Sequence, residues 1–218
     1  MTIQFHISDD LLLSYASGSM DEASSLLVAS HLALCPHCRM RNSSAESVGG
    51  YLLDTIAETK VSSSMMDSVL ARVRDQDNNA TPLARPTFQP NFVIPEPLRG
   101  YVGGDLRDLK WVRVAPRVQQ IMIRTPGCAS QARLLRFQSG MSVPEHGHRG
   151  RELTLVLTGS LCDGETTLRR GDIAESDERT EHQPHAGAGE DCVCLAVTDA
   201  PLRFKSALAR LLQPLFGI

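Results

Sequence analysis

The chain reads as α+β in two domains, a helical N-terminal domain followed by an antiparallel β-barrel of the jelly-roll kind. Three observations predict this. Up to about residue 75 the apolar residues recur at helical spacing. From Asp75 to Pro97 that periodicity stops and five prolines appear. Beyond it, short β-branched or apolar runs alternate with Gly, Pro and Asp-Gly punctuation. The expected division is therefore a helical domain over 1–75, a proline-rich linker over 76–98, and a barrel over 99–218.

The helices follow from local signals. Ser8 is a plausible N-cap, Asp9 and Asp10 sit in the first turn, and Gly18 is the stop. "SMDE" at 19–22 is a capping-box pattern, with Ser19 as the cap and Glu22 reaching back. It opens a second helix towards Cys35, with Ala23, Leu26, Leu27, Ser30, His31 and Leu34 on one face. Pro36 breaks that helix or begins the next. A third helix over about 38–58 rests on Val48, Leu52, Leu53 and Ile56. A fourth, in "SSSMMDSVLARVRDQ", carries Met65, Met66, Val69, Leu70 and Val73 on one stripe. Packing of that stripe against the first three helices is the preferred reading, and a partner-docking helix is the sharper alternative.

The strands are "WVRVA", "VQQIMI", "ARLLRF", "ELTLVLTGSL" and "DCVCLAV", with Asp163-Gly164 as a hairpin turn. The closing "PLRFKSALARLLQPLFGI" reads as an amphipathic helix interrupted at Pro214, packing on the barrel or on the helical domain.

Composition bounds the function. The 218 residues are 42% hydrophobic and 22% charged, as in ordinary globular proteins. A net charge of -3 gives no reason to expect nucleic-acid binding. Nine acidic against five basic residues up to Asp75 would suit a basic protein partner or a solubilising helical surface. The opening "MTIQFHIS" does not read as a signal peptide and the most apolar stretch is too short to span a bilayer, so the chain is expected to be cytoplasmic. Its six cysteines are then better explained as metal ligands, redox groups or buried small residues than as structural disulfides.

"HLALCPHC", residues 31–38, gathers metal ligands. His31 and Cys35 are four apart on a helix and share a face, and Cys38 completes a Cys-x-x-Cys. Zinc takes such nitrogen and thiolate donors tetrahedrally. His37 is turned outward by its neighbours, whereas His6 could close the site. Buried cysteines with a core histidine, or a redox Cys-x-x-Cys, are the alternatives; the latter wants a thioredoxin-like βαβ setting that is absent. Four protein ligands leave no open position, so such a zinc is structural. His6 followed by His31-x-x-x-Cys35-x-x-Cys38 in a short helical domain resembles the zinc-binding anti-sigma domain that sequesters extracytoplasmic-function sigma factors. The resemblance assigns the four zinc ligands to His6, His31, Cys35 and Cys38.

"GMSVPEHGHRGRELTLVLTG", residues 140–159, matches the first cupin motif: Gly, five residues, His-x-His, three residues, Glu, six residues, Gly. The resemblance makes His146, His148 and Glu152 metal ligands and Gly159 a turn residue. Cupins add a histidine from a second motif. In "RRGDIAESDERTEHQPH" the resemblance selects His182 over His185, although the usual proline and glycine before it are missing. Three imidazoles and a carboxylate accept Zn, Fe, Mn or Ni.

An anti-sigma zinc domain, a linker and a cupin in this order resemble the ChrR-type anti-sigma factors across nearly the whole chain. That resemblance implies a sigma-factor partner bound by the helical domain, zinc in both domains, and release of the sigma factor in response to singlet oxygen or organic peroxide through the cupin. It implies a regulator rather than an enzyme. The rival from another class is a metal-dependent cupin dioxygenase with a helical appendage. Cys192 and Cys194, two apart on a strand, are candidate oxidation targets, with buried packing as their plainer role.

Overall fold

The computed structural model describes residues 2–79 and 92–205. Packing divides the chain into two compact units, Met1–Gly49 with Phe92–Ile218, and Gly50–Asn91. The first 49 residues therefore pack with the barrel, across the segment boundary that the proline-rich stretch suggests. Most of that stretch, and the expected tail helix beyond Lys205, lie outside the described residues; the first residues of that expected helix instead contain a short strand, Arg203–Phe204.

Helix α1 (Asp9–Ala16) starts after Ser8 and buries Leu11 and Leu12. Helix α2 (Glu22–Leu34) corrects the capping-box expectation. Its N-cap is Asp21, whose carboxylate accepts the Ser24 amide at 2.8 Å. Ser19 Oγ instead donates to the Ser14 carbonyl at the end of α1. Two cap signals compete within three residues, and a carboxylate complements the positive end of the helix better than a hydroxyl. Ala23, Leu26, Leu27, Val28, Ser30, His31 and Leu32 of α2 are all buried, more than one face of a helix provides. The reason is that α2 is covered twice, by α1 and α5 on one side and by the sheet on the other.

Helix α3 (Pro36–Asp54) starts on its proline and buries only Cys38 and Asn42. Helix α4 (Met65–Asn79) forms where its stripe is expected and leaves Met65, Met66, Val69, Leu70 and Val73 exposed. An amphipathic pattern says which face is apolar, not what covers it. Val48, Tyr51, Leu52 and Leu53 on α3 and Ile56 beyond it are exposed as well. Helix α5 (Glu96–Val102) begins in residues expected to be linker and runs into residues expected to be barrel. Proline in its first turn is compatible with helix, and Gly103 ends it with φ 80°. Among the described residues, no helix is long and apolar enough to cross a membrane.

The strands, in chain order, are β1 (Val112–Ala115), β2 (Val118–Ile123), β3 (Gln131–Phe137), β4 (His146–Gly147), β5 (Glu152–Thr158), β6 (Ser160–Asp163), β7 (Thr166–Arg169), β8 (Ile173–Ser176), β9 (Glu181–His182), β10 (His185–Ala186), β11 (Cys192–Thr198) and β12 (Arg203–Phe204). One antiparallel sheet runs β1-β2-β3-β11-β5-β8, and two three-stranded sheets run β10-β6-β7 and β12-β4-β9. The expected Asp163-Gly164 hairpin joins β6 and β7, with Asp163 opposite Thr166 and Gly164 at φ 55°.

Alternation along the strands gives the large sheet two buried faces. Leu153, Leu155 and Leu157 of β5, with Val193, Leu195 and Val197 of β11, pack into one core with Leu26, Leu27 and Val28 of α2. The opposite face, with Val156, Cys192, Cys194 and Phe137, packs against Leu161, Leu168 and Ala186 from the small sheet and forms the barrel interior. Gly159, at φ 70°, makes the turn from β5 to β6; a Cβ there would stand 2.5 Å from the Asp191 carbonyl oxygen.

The open edge of the large sheet, β8, is covered by the N-terminal segment. The Ile173 amide donates to the Phe5 carbonyl at 3.3 Å. Asp172 accepts the Gln4 and Phe5 amides at 2.7 and 3.1 Å. Residues 3–8 thus form a strap along the barrel edge, which blunts a strand that would otherwise present unpaired backbone groups.

Candidate metal centres

The first centre forms where the strap meets the α2–α3 junction. His6 comes from the strap, His31 from the last turn of α2, Cys35 from its C-cap and Cys38 from the first turn of α3. One ligand atom from each lies within 4.8 Å of all the others. His6 Nδ1 is 3.4 Å from Cys35 Sγ and 3.5 Å from Cys38 Sγ. The edge between an imidazole and a thiolate in tetrahedral zinc is about 3.5 Å.

His31 shows that the set suits a cation. Its ring is fully buried, and neither Nδ1 nor Nε2 has a hydrogen-bond partner. The Gly171 carbonyl lies towards the ring without reaching hydrogen-bond geometry. Burial holds the His31 pKa at about 4, so the ring is neutral and presents a lone pair at pH 7. Burial and His37 also lower His6. Burial raises the Cys38 thiol, against which Arg41 acts. A cation among the four would complete the buried imidazole and keep the thiols deprotonated.

Three supporting groups escaped the sequence reading. The Cys38 amide donates to Cys35 Sγ at 3.4 Å. Arg41 donates to the Ile7 carbonyl at 3.0 Å, lies 3.9 Å from Cys38 Sγ and pairs with Asp9. Asp172 is buried beside both histidines and acts on each. His37 is exposed and stands outside the ligand group, its ring 4.7 Å from that of His6.

The second centre lies in the barrel. Antiparallel pairing of β4 with β9 sets His146 opposite His182, and His148 follows one residue past β4. His182 Nε2 is 3.0 Å from His146 Nε2 and 3.1 Å from His148 Nε2. Imidazole nitrogens around tetrahedral zinc lie about 3.3 Å apart.

Outer contacts set the tautomers of two of these rings. His146 Nδ1 donates to the Pro144 carbonyl at 2.9 Å, and His182 Nδ1 donates to Asp163 Oδ2 at 2.7 Å. Both Nε2 atoms therefore turn lone pairs towards each other, an arrangement that a shared cation stabilises. Burial and the neighbouring imidazoles lower His146 and hold His148 at about 4.

Glu152 opens β5, and its carboxylate stands outside the triangle of nitrogens. Oε1 accepts the Thr154 hydroxyl at 3.2 Å, and Oε2 is 3.9 Å from His148 Nδ1. Burial raises its pKa. His185 is exposed on β10 opposite Cys162, so the geometry groups His182, not His185, with His146 and His148.

Residues 100–201 match the family model described as the ChrR Cupin-like domain. The chain is 45% identical over all 218 residues to the anti-sigma-E factor ChrR of Cereibacter sphaeroides, with the whole of both chains covered. It is similar to a solved chain from Rhodobacter sphaeroides SigE in complex with the anti-sigma ChrR, with a TM-score of 0.78 and 42% identity over 91% of this chain and 100% of that one. On this full-length likeness, the chain belongs to the ChrR family of anti-sigma factors.

Proposed function

We propose that this protein is a cytoplasmic anti-sigma factor that sequesters an extracytoplasmic-function sigma factor and releases it under oxidative stress, by singlet oxygen or organic peroxide, through its cupin. The observation that carries the reading is the match over 91% of the chain to a protein solved with its sigma factor.

The exposed apolar residues fit this role. Val48, Tyr51, Leu52 and Leu53 on α3, and Met65, Met66, Val69, Leu70 and Val73 on α4, offer the spaced anchors of a helix that docks on a partner. Methionine adapts to an irregular partner surface. In this reading His6, His31, Cys35 and Cys38 hold a structural zinc that fixes the strap and the α2–α3 junction. His146, His148, His182 and Glu152 hold the cupin metal, for which zinc is proposed; Fe, Mn and Ni suit the same donors. That ion would gather β4, β9 and the start of β5 around one point.

The test is an affinity pull-down of the tagged chain from its host beside three variants, the triple His31→Ala, Cys35→Ala, Cys38→Ala and the singles Val69→Asp and His146→Ala. A stoichiometric sigma factor on the parent, weakened at least about 30-fold by Val69→Asp, is expected. Its release from the parent by a photosensitiser in light, and retention by His146→Ala, would support the oxidative signal. Absence of a sigma factor from the parent chain would overturn the reading.

A further inference from the structure

Three of the four ligands in the first centre come from one contiguous stretch, residues 31–38. His6 is the outlier, and the strap carrying it is bonded to the barrel on both sides. Before it, the buried Asp172 carboxylate accepts the amides of Gln4 and Phe5 through Oδ1, while its Oδ2 accepts the Arg169 amide at 2.8 Å. After it, Glu175 accepts the Ser8 amide at 2.8 Å and the Ser8 hydroxyl at 2.9 Å. Gly171, at φ 89°, lets the barrel approach so closely that a Cβ there would stand 2.5 Å from Ile3 Cδ1. Among the described residues, the strap's backbone receives one side-chain bond from the helical side, from Arg41 to the Ile7 carbonyl.

We propose that the β8 edge of the barrel, acting through Asp172 and Glu175, positions His6 and so sets how firmly the N-terminal centre retains its ion. The inference rests on the reading of His6, His31, Cys35 and Cys38 as a metal site. An imidazole on a free strap would have to find the ion against the conformational freedom of seven N-terminal residues; clamped at residues 4, 5 and 8 it is already in place. The clamp also sits beside the second centre. Glu175 and Ser176 pair with Leu153 and Glu152, so the strand that holds the strap is hydrogen-bonded to the strand that opens with the cupin carboxylate. Asp172 and Glu175 are positioning residues, since neither is in the ligand group.

The test uses the full chain loaded with Co2+. Sulfur-to-cobalt absorption reports the first centre alone, because the proposed cupin donors contain no sulfur. The decay of that band in excess EDTA is followed for the parent, Asp172→Asn, Glu175→Ala, and Glu165→Ala in the β6–β7 turn as control. Loss about ten-fold faster is expected for Asp172→Asn. A smaller acceleration is expected for Glu175→Ala, with the parental rate in the control and for cobalt in the cupin. Should Asp172→Asn disturb the whole fold, both cobalt signals would accelerate together, and the exposed Glu175 then carries the test. Parental rates in Glu175→Ala and in a folded Asp172→Asn would overturn the proposal. A parent chain with no sulfur-to-cobalt band would overturn it together with the metal reading.

Discussion

Asp163 Oδ2 lies 2.7 Å from His182 Nδ1 and fixes the tautomer that turns the His182 Nε2 lone pair towards His146 and His148. Such a carboxylate orients a ligand and raises its basicity without touching the ion. Asp163→Ala is expected to weaken metal binding at the cupin about 10- to 100-fold while leaving the thiolate centre unchanged. Competition with a chromophoric chelator, resolving the two ions, checks this; equal affinities would remove Asp163 from the metal machinery.

The metal-free chain should lose stability on mild acidification. His31 and His148 have pKa values of about 4 in the fold against 6.5 as the ordinary value, both through burial. The unfolded chain therefore binds protons that the folded chain refuses. This contribution is complete above pH 6.5, is lost as pH falls, and levels off near pH 4. Each ring accounts for roughly 3 kcal/mol across that window. Urea midpoints of the metal-free chain between pH 7 and 4 measure it, and His31→Gln should flatten the profile.

Gly159→Ala should be severely destabilising, by roughly 3 kcal/mol or more. A left-handed backbone is required there, and the new methyl would meet the Asp191 carbonyl and Cys192 Cα at 2.5 and 2.9 Å. Backbone atoms of a seven-residue strand cannot step aside as a flexible side chain would. Thermal unfolding checks it, and a Tm within a degree of the parent would contradict it.

Cys192 and Cys194 should resist alkylation in the folded chain. Both point into the barrel interior and are almost fully buried. Burial pushes the Cys192 thiol to about 12 and Cys194 well above its ordinary value. Its thiolate fraction at pH 8 is then far below that of an ordinary cysteine. Iodoacetamide should modify the partly exposed Cys128 and Cys162 first, read by peptide mass. Early labelling of Cys192 would favour a redox role over packing.

Much of the fold could be read from the sequence because its signals are local, and so could the residues that the fold gathers into two clusters, apart from Glu152, which stands outside the second. His31, Cys35 and Cys38 lie within two helical turns, and His146 and His148 follow strand alternation. Strand pairing places His182 rather than His185 beside His146: β9 runs beside β4, whereas β10 runs beside β6. What stayed hidden depends on distant partners. The bonds from Asp172 to the strap join residues 167 and 168 positions apart, and no periodicity reports them. The capping-box pattern pointed to Ser19, and only the fold shows that Asp21 takes the cap of α2 instead. The α4 stripe was legible as apolar, but sequence periodicity carries no information on its cover.

The double use of the large sheet has a practical consequence. Its outer face, with Leu134, Leu153, Leu155, Val193, Leu195 and Val197, is buried because α2 lies on it. A chain starting at Phe92 would keep every barrel strand and both halves of the cupin motif, yet bare that face to water. It would aggregate or pair with its own copies, as sheets with a stripped apolar face do. Proteolytic loss of α1 and α2 would therefore leave a remnant prone to self-association, because that face of the barrel depends on the helical cover.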